Sequence, residues 1–220
     1  MAKTLIFDFD GTIVDSAPAL LATYELVLQR HGLKPRRALT RDLIGPPLHE
    51  TLARVTGLSE KARLDALIAD FKQVYDSDGV RATGIYDGMD QLLRELAVDY
   101  RLYLATNKRL HPTGLLLDLF DLRRCFAGVY ALDSQTPPFA DKATMLMGLL
   151  QQQALTAQDC VYIGDTCHDE IASGRAGIPF IGVLWGYGIG TQLVSKRATV
   201  AASTADLAKV IAAHFTESTR

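Results

Sequence analysis

The sequence predicts an α/β protein, a Rossmann-like three-layer sandwich built on a mostly parallel sheet, with an all-helical cap inserted near its start. Three observations lead there. Short apolar runs rich in β-branched and aromatic residues recur at Leu5-Phe7, Leu102-Ala105, Val129-Ala131, Val161-Ile163 and Phe180-Leu184. Helical patterns separate the later runs, and such alternation implies parallel strands joined by right-handed crossovers. Between about Ser16 and Ala82 the rhythm breaks, because only helical patterns occur there. The expected organisation is therefore a core domain of residues 1–15 and 83–220, and a helical cap domain of residues 16–82. Ser16-Ala17 and Arg81-Ala82-Thr83-Gly84 are the expected hinges.

Taken in order, the first strand is the apolar run that ends at Asp8. Pro18 suits the first turn of a helix running to His31, and Gly32 can end it. Leu43-Ile-Gly45-Pro46-Pro47-Leu48-His49 reads as a rigid turn delivering a helix over Leu48 to Thr56. Ser59 can cap a longer one reaching Asp76. In the core, Asp87 precedes the Leu92-Leu93-Leu96 stripe, and further helices are expected from Ala140 to Gln153 and from His168 to Ala176, stopped by Gly177. A last helix begins at Thr204, ahead of Leu207-Val210-Ile211.

Composition narrows the function classes. Over 220 residues, 48% hydrophobic content is ample for a core, which argues against disorder as the dominant state. A formal net charge of -2, with the two signs interspersed, gives no basic stripe for nucleic acid and no polybasic tract for a membrane. The expected partner is small. Cys125, Cys160 and Cys167 lack metal-ligand spacing and fit a reducing cytoplasm. The chain passes from Met-Ala-Lys straight into a short strand, without the longer apolar stretch of a signal peptide or membrane span, so a cytoplasmic protein is expected.

Asp8 and Asp10 carry the most information. Residues i and i+2 of a strand point to one side, so both carboxylates share a face while Phe9 turns into the core. That geometry suits one aspartate as nucleophile and the other as acid/base. Asp-Gly is also a common hairpin turn, and the plainer reading is an acidic turn between Leu5-Ile6-Phe7 and Ile13-Val14. Ligands of parallel sheets sit beyond the carboxyl ends of the strands. Polar residues stand at each such end: Asp8, Asp10 and Thr12 after the first; Thr106, Asn107 and Lys108 after Leu102-Ala105; Gly164, Asp165, Thr166 and Asp169 after Val161-Ile163. Each has a plain alternative. Thr106-Asn107 suits a cap or turn, Asp165 and Asp169 suit a helix dipole, Lys142 suits a solvated surface, and His168 suits a structural role.

Asp8-x-Asp10-Gly-Thr12, the strand-ending Thr106-Asn107, Lys142 and Gly164-Asp165-x-x-x-Asp169 together resemble, in order and spacing, the four motifs of haloacid dehalogenase-superfamily phosphatases. The resemblance covers nearly the whole chain, including a helical cap after the first motif, and is greatest to phosphoglycolate phosphatase-like members. It implies Asp8 as nucleophile, Asp10 as general acid/base, Thr106 with its neighbouring N–H as holder of the phosphoryl group, and Lys142 as charge neutraliser. Gly11, Thr12 and Asn107 would belong to the phosphate site. Asp165 would bind Mg²⁺ beside Asp8 and the Asp10 backbone carbonyl, with Asp169 supporting the metal shell or orienting Lys142. Gly45, Pro46, Pro47 and His49 would belong to the cap loop that faces the substrate. Trp185-Gly-Tyr-Gly188 resembles a segment near the cleft rim. Where the family often has Lys-Pro, Ala143 follows Lys142, which leaves Lys108 as the alternative phosphate contact.

Electrostatics also calls for a cation. Four aspartates brought together would repel one another and any phosphate dianion. Oxygen ligands without clustered His and Cys favour Mg²⁺ over zinc. The expected function is a Mg²⁺-dependent phosphatase acting through an aspartyl-phosphate on a small phosphorylated metabolite, such as a phosphoglycolate-like ester, a nucleotide or a sugar phosphate. Alternatives are a β-phosphoglucomutase-like phosphotransferase, a pyrophosphatase, or a non-catalytic binding protein on the same fold.

Overall fold

In the computed structural model, which describes residues 3–188 and 199–217, the chain opens with β1 (Thr4–Phe7), β2 (Val14–Asp15), α1 (Ala17–Arg30), α2 (Leu48–Thr56), α3 (Lys61–Val74) and β3 (Gly84–Ile85). It continues through α4 (Met89–Asp99), β4 (Arg101–Thr106), α5 (Leu110–Leu119), β5 (Gly128–Ala131), α6 (Lys142–Gln152), β6 (Cys160–Gly164), α7 (Cys167–Arg175), β7 (Phe180–Val183), β8 (Thr199–Ala201) and α8 (Thr204–Glu217). Six strands form one sheet in the order β5-β4-β1-β6-β7-β8, and every pairing in it is parallel.

The alternation of side chains across the sheet explains the three layers. Leu5, Phe7, Leu102, Leu104, Val161 and Ile163 enter the larger core, which also takes the apolar faces of α4 and α8. Ile6, Tyr103, Ala105 and Tyr162 enter the other core, against Met145, Leu146 and Leu149 of α6 and Ala172 of α7. Strands buried on both faces read as unbroken apolar runs, which is why the sequence reveals them.

Among the described residues, those from Ser16 to Ala82 form helices and turns but no strand, as expected. Their entry and exit are bracketed by the antiparallel pair β2 and β3, which join Val14 to Ile85 and Asp15 to Gly84. Two-residue strands are too short to leave a periodic signal. The larger core runs on into this segment through Leu20, Tyr24, Val27, Leu52, Leu67 and Phe71.

Several helix ends differ from expectation. Glu60, not Ser59, precedes α3, and no side chain caps it. The long helix stops at Val74 and gives way to a π turn over Tyr75–Gly79. Helix α4 starts after Gly88, whose φ of 73° sets the entry, so Asp87 does not cap it. Gly177, with φ 70°, follows α7 where the stop was expected. Among the described residues, no helix is long and apolar enough to cross a membrane.

Candidate active site

β1 delivers Asp8 one residue past its end, where the Asp8 backbone N–H still bonds the Ile163 carbonyl at 2.8 Å. That bond ties the ends of β1 and β6 together. Asp8, Asp165 and Asp169 each place a carboxylate oxygen within 4.8 Å of the others, and all three are buried. The hairpin reading of Asp8-Asp10 therefore gives way to a strand end that faces a neighbouring strand end.

Each of these carboxylates is held by a different device. Asp165 Oδ1 accepts from the Thr12 hydroxyl at 3.3 Å, and its Oδ2 from the Tyr187 backbone N–H at 2.7 Å. Close packing around it requires two glycines: a side-chain carbon on Gly11 (φ 86°) would overlap the Asp165 carboxylate, and one on Gly186 would overlap Asp165 and the Gly11 carbonyl. Asp169 closes a capping box with Thr166 at the start of α7. Its other oxygen accepts from Lys142 Nζ at 2.5 Å. The helix-start reading of Asp169 is thus correct but incomplete, since one carboxylate both caps the helix and pairs with Lys142.

Lys142 is the first residue of α6, behind a capping box made by Asp141 and Thr144. A cation in the first turn opposes the helix dipole, so the placement calls for compensation elsewhere. Asp169 and Asp8 provide it, with Lys142 Nζ 3.0 Å from Asp8 Oδ1. Lys108, the alternative phosphate contact, instead donates to both Asp10 oxygens at 3.0 and 3.3 Å. Burial alone would lower the pKa of either lysine, yet the carboxylates beside each hold both ammoniums above their ordinary value.

Charge does not balance at the centre. Three buried carboxylates face one ammonium. Burial pushes Asp8 up to about 7, helped by Asp169 and opposed by Lys142. Asp165 is driven well above the carboxylate range by burial and by Asp169 and Asp8. Asp169 goes the other way: burial would raise it, but Lys142 and Thr166 together hold it below. Asp8 Oδ1 is buried, and the partner it has is the Lys142 ammonium at 3.0 Å, which Asp169 also shares. Three buried carboxylates sharing one ammonium leave an excess of negative charge that fits a divalent cation. The oxygen-only donor set matches the hard-cation chemistry of Mg²⁺.

The other expected site residues divide. Gly45 and Pro46 line the same cavity as Asp8, Lys142 and Asn107, about 260 Å³ in volume, and Pro47 lines the adjoining hollow. Thr106 is buried at the end of β4, where its hydroxyl accepts from the Lys108 N–H at 3.2 Å, so it closes a turn and caps no helix. Asn107 reaches across to the helical segment and donates to the Gly45 carbonyl at 3.0 Å. Two expectations need correction. His49 does not face the cavity: α2 buries Thr51, Leu52 and Val55, which turns His49 outward to a position 3.8 Å from Glu50 and 65% exposed. The Asp10 carboxylate does not join the other three acids, because Lys108 draws it toward Tyr75.

Sequence reasoning missed Tyr187 as a partner of Asp165, because the donor is a backbone N–H. Of the expected rim segment Trp185-Gly-Tyr-Gly188, Tyr187 and Gly188 line the cavity of Asp8, while Trp185 Nε1 donates to the Thr12 carbonyl at 3.0 Å and the Tyr187 hydroxyl accepts from the Ala17 N–H at 3.0 Å. Arg54 of α2 was also missed, and it lines the cavity of Asp8.

Comparison with known proteins agrees with this geometry. The sequence matches the haloacid dehalogenase-like hydrolase family over residues 5–183. The chain belongs to that family. Among its relatives, a tyrosine-protein kinase PtkA of Mycobacterium tuberculosis is 31% identical over 207 residues, covering 90% of this chain and 70% of the relative. The PtkA structure superposes with a TM-score of 0.77 over 96% of this chain and 98% of PtkA, at 27% identity. A 5'-nucleotidase of Pseudomonas aeruginosa is 28% identical over 96% of both chains. A phosphoglycolate phosphatase of Xanthomonas campestris is 27% identical over 86% of both. As a haloacid dehalogenase-like hydrolase the protein is an enzyme, and its parallel sheet belongs to a fold it shares with PtkA.

Proposed function

We propose that this haloacid dehalogenase-like hydrolase is a Mg²⁺-dependent phosphomonoesterase that acts through a phosphorylated Asp8. The observation carrying the proposal is the buried Asp8–Asp165–Asp169 cluster with Lys142 set between Asp8 and Asp169. Asp8 and Asp165 would hold the metal, which supplies charge neutralisation for an approaching phosphate and orients it. Asp8 attacks phosphorus and takes the phosphoryl group. Asp10 protonates the departing alcohol oxygen, then takes a proton from the water that hydrolyses the acyl phosphate. Lys142 offsets charge on the equatorial oxygens, Asp169 aims Lys142, and the Thr106–Asn107 backbone cradles the group. The helical segment 16–82 acts as a lid, and the Asn107–Gly45 bond is one of its closures.

Relatives named 5'-nucleotidase and phosphoglycolate phosphatase support a small phosphate monoester as substrate. The relative named as a tyrosine kinase supports a second reading, in which the phosphoryl group on Asp8 passes to an acceptor hydroxyl instead of water. A panel of phosphorylated metabolites with Mg²⁺, scored for both free phosphate and phosphorylated acceptor, separates the two. Excess chelator is expected to stop phosphate release, and added Mg²⁺ to restore it; turnover that survives chelation would contradict the metal assignment.

The cluster also predicts a stability signature. Asp8 holds its proton more tightly folded than unfolded, so its contribution to the metal-free protein is full below about 3.8 and lost as the pH rises through about 7. In chelator at pH 8, Asp165→Asn is therefore expected to raise the thermal midpoint by relieving repulsion, and to lose the rise that Mg²⁺ gives the parent protein. A variant whose midpoint still climbs with Mg²⁺ would remove Asp165 from the metal site.

A further inference from the structure

The three residues after Thr106 each reach into the helical segment. Asn107 bonds Gly45, Lys108 Nζ donates to the Tyr75 hydroxyl at 2.8 Å, and Arg109 pairs with both Asp76 oxygens at 2.9 and 2.5 Å. The Lys108 contact leads to the chemistry. Its ammonium also spans both Asp10 oxygens, and the two side chains are only 4% and 12% exposed. Three ammonium hydrogens thus have two fixed partners, one on the core and one on the helical segment.

Tyr75 is built to hold that ammonium. Lys108 Nζ lies 4.6 Å from the Tyr75 ring centroid, so ring and hydroxyl both attract it. The ring stacks on Phe71 at 5.8 Å and is 1% exposed. The Tyr75 hydroxyl, accepting from Lys108, is left to bond Thr83 Oγ1 at 3.3 Å, next to the return strand β3. Tyr75 opens the π turn, a rare backbone form found frequently at functional sites.

We propose that Tyr75 is a positioning residue for the acid/base step: through Lys108 it fixes the Asp10 carboxylate, so Asp10 is aligned only while the end of α3 is docked on the loop after β4. The inference rests on the phosphatase reading and on Asp10 as its acid/base. A general acid works within about 2.6–3.2 Å of the oxygen it protonates, so a carboxylate free to turn loses efficiency. Lys108 without its tyrosine partner keeps its charge but gains rotational freedom.

Tyr75→Phe keeps the ring, its stacking and its attraction for the ammonium, and removes only the hydroxyl. The measurement is kcat/KM for an aliphatic phosphate ester and for 4-nitrophenyl phosphate, whose departing nitrophenolate needs little protonation. The aliphatic ester is expected to lose roughly tenfold and the nitrophenyl ester less than about twofold, within the range open to acid catalysis. In an Asp10→Asn background, Tyr75→Phe should change neither ester further. Thr83→Val, which removes the hydroxyl's other partner, should show the same ester dependence more weakly, and it serves as the probe if Tyr75→Phe does not fold. Equal losses for both esters, no loss in either, or an additive loss in the Asp10→Asn background would overturn the proposal. A parent enzyme inert toward both esters would overturn the phosphatase reading first, and this inference with it.

Discussion

Replacing Asp8 with Asn is expected to reduce phosphate release by on the order of 10⁴-fold or more while the chain still unfolds cooperatively, because it removes the proposed nucleophile, and with it a charge that would hold the metal and that pairs with Lys142. Asn has the size of Asp, and the ladder bond from the residue 8 backbone to Ile163 does not involve the side chain. Burial already disfavours the charge on Asp8. Neutralising it should therefore leave the metal-free thermal midpoint unchanged or higher, even as activity disappears. Loss of activity with retained stability separates a chemical role from a structural one. Full activity in Asp8→Asn would end the nucleophile assignment.

The second large effect is expected from Lys142→Met. Lys142 is 8% exposed and pairs with both Asp169 and Asp8, so its removal strands two buried carboxylates together. Breaking a buried pair from one side costs about 3–5 kcal/mol, mostly the penalty of the uncompensated partner. Asp169 bears most of it, since its pKa is held down mainly by Lys142 and it stays charged. Urea unfolding in chelator should show the full loss, and Mg²⁺ should recover part of it. Phosphate release should fall by about 10²–10³-fold from lost charge stabilisation. A variant as stable and as active as the parent would remove Lys142 from the charge balance of the site.

What the sequence made legible follows from burial and from strand polarity. β1, β4, β5, β6 and β7 are visible because they are apolar runs, and their ends expose the polar residues that form the site. Asp8, Asp165 and Asp169 were therefore readable as a group, and Lys142 through its place in the motif order. Residues whose partners are set by docking of the helical segment were not. Asn107, Lys108 and Arg109 are adjacent in sequence, but their partners Gly45, Tyr75 and Asp76 lie far from them along the chain. Helical phase decided between His49 and Arg54: α2 buries Leu52 and Val55, which turns His49 outward, while Arg54 lines the cavity. The Tyr187 contact uses a backbone donor, which no side-chain pattern signals. Asp10 could be placed beside Asp8, but its turn toward Lys108 required the fold.

The central claim is that Asp8 accepts the phosphoryl group, and it is tested most directly in a variant that forms this intermediate but cannot clear it. Asp10→Asn mixed with 4-nitrophenyl phosphate and Mg²⁺ should release one equivalent of nitrophenolate per enzyme, then stall, and mass spectrometry of acid-quenched protein should find the phosphoryl group on Asp8. Phosphate release without a burst, or a phosphoryl group on any other residue, would contradict the account.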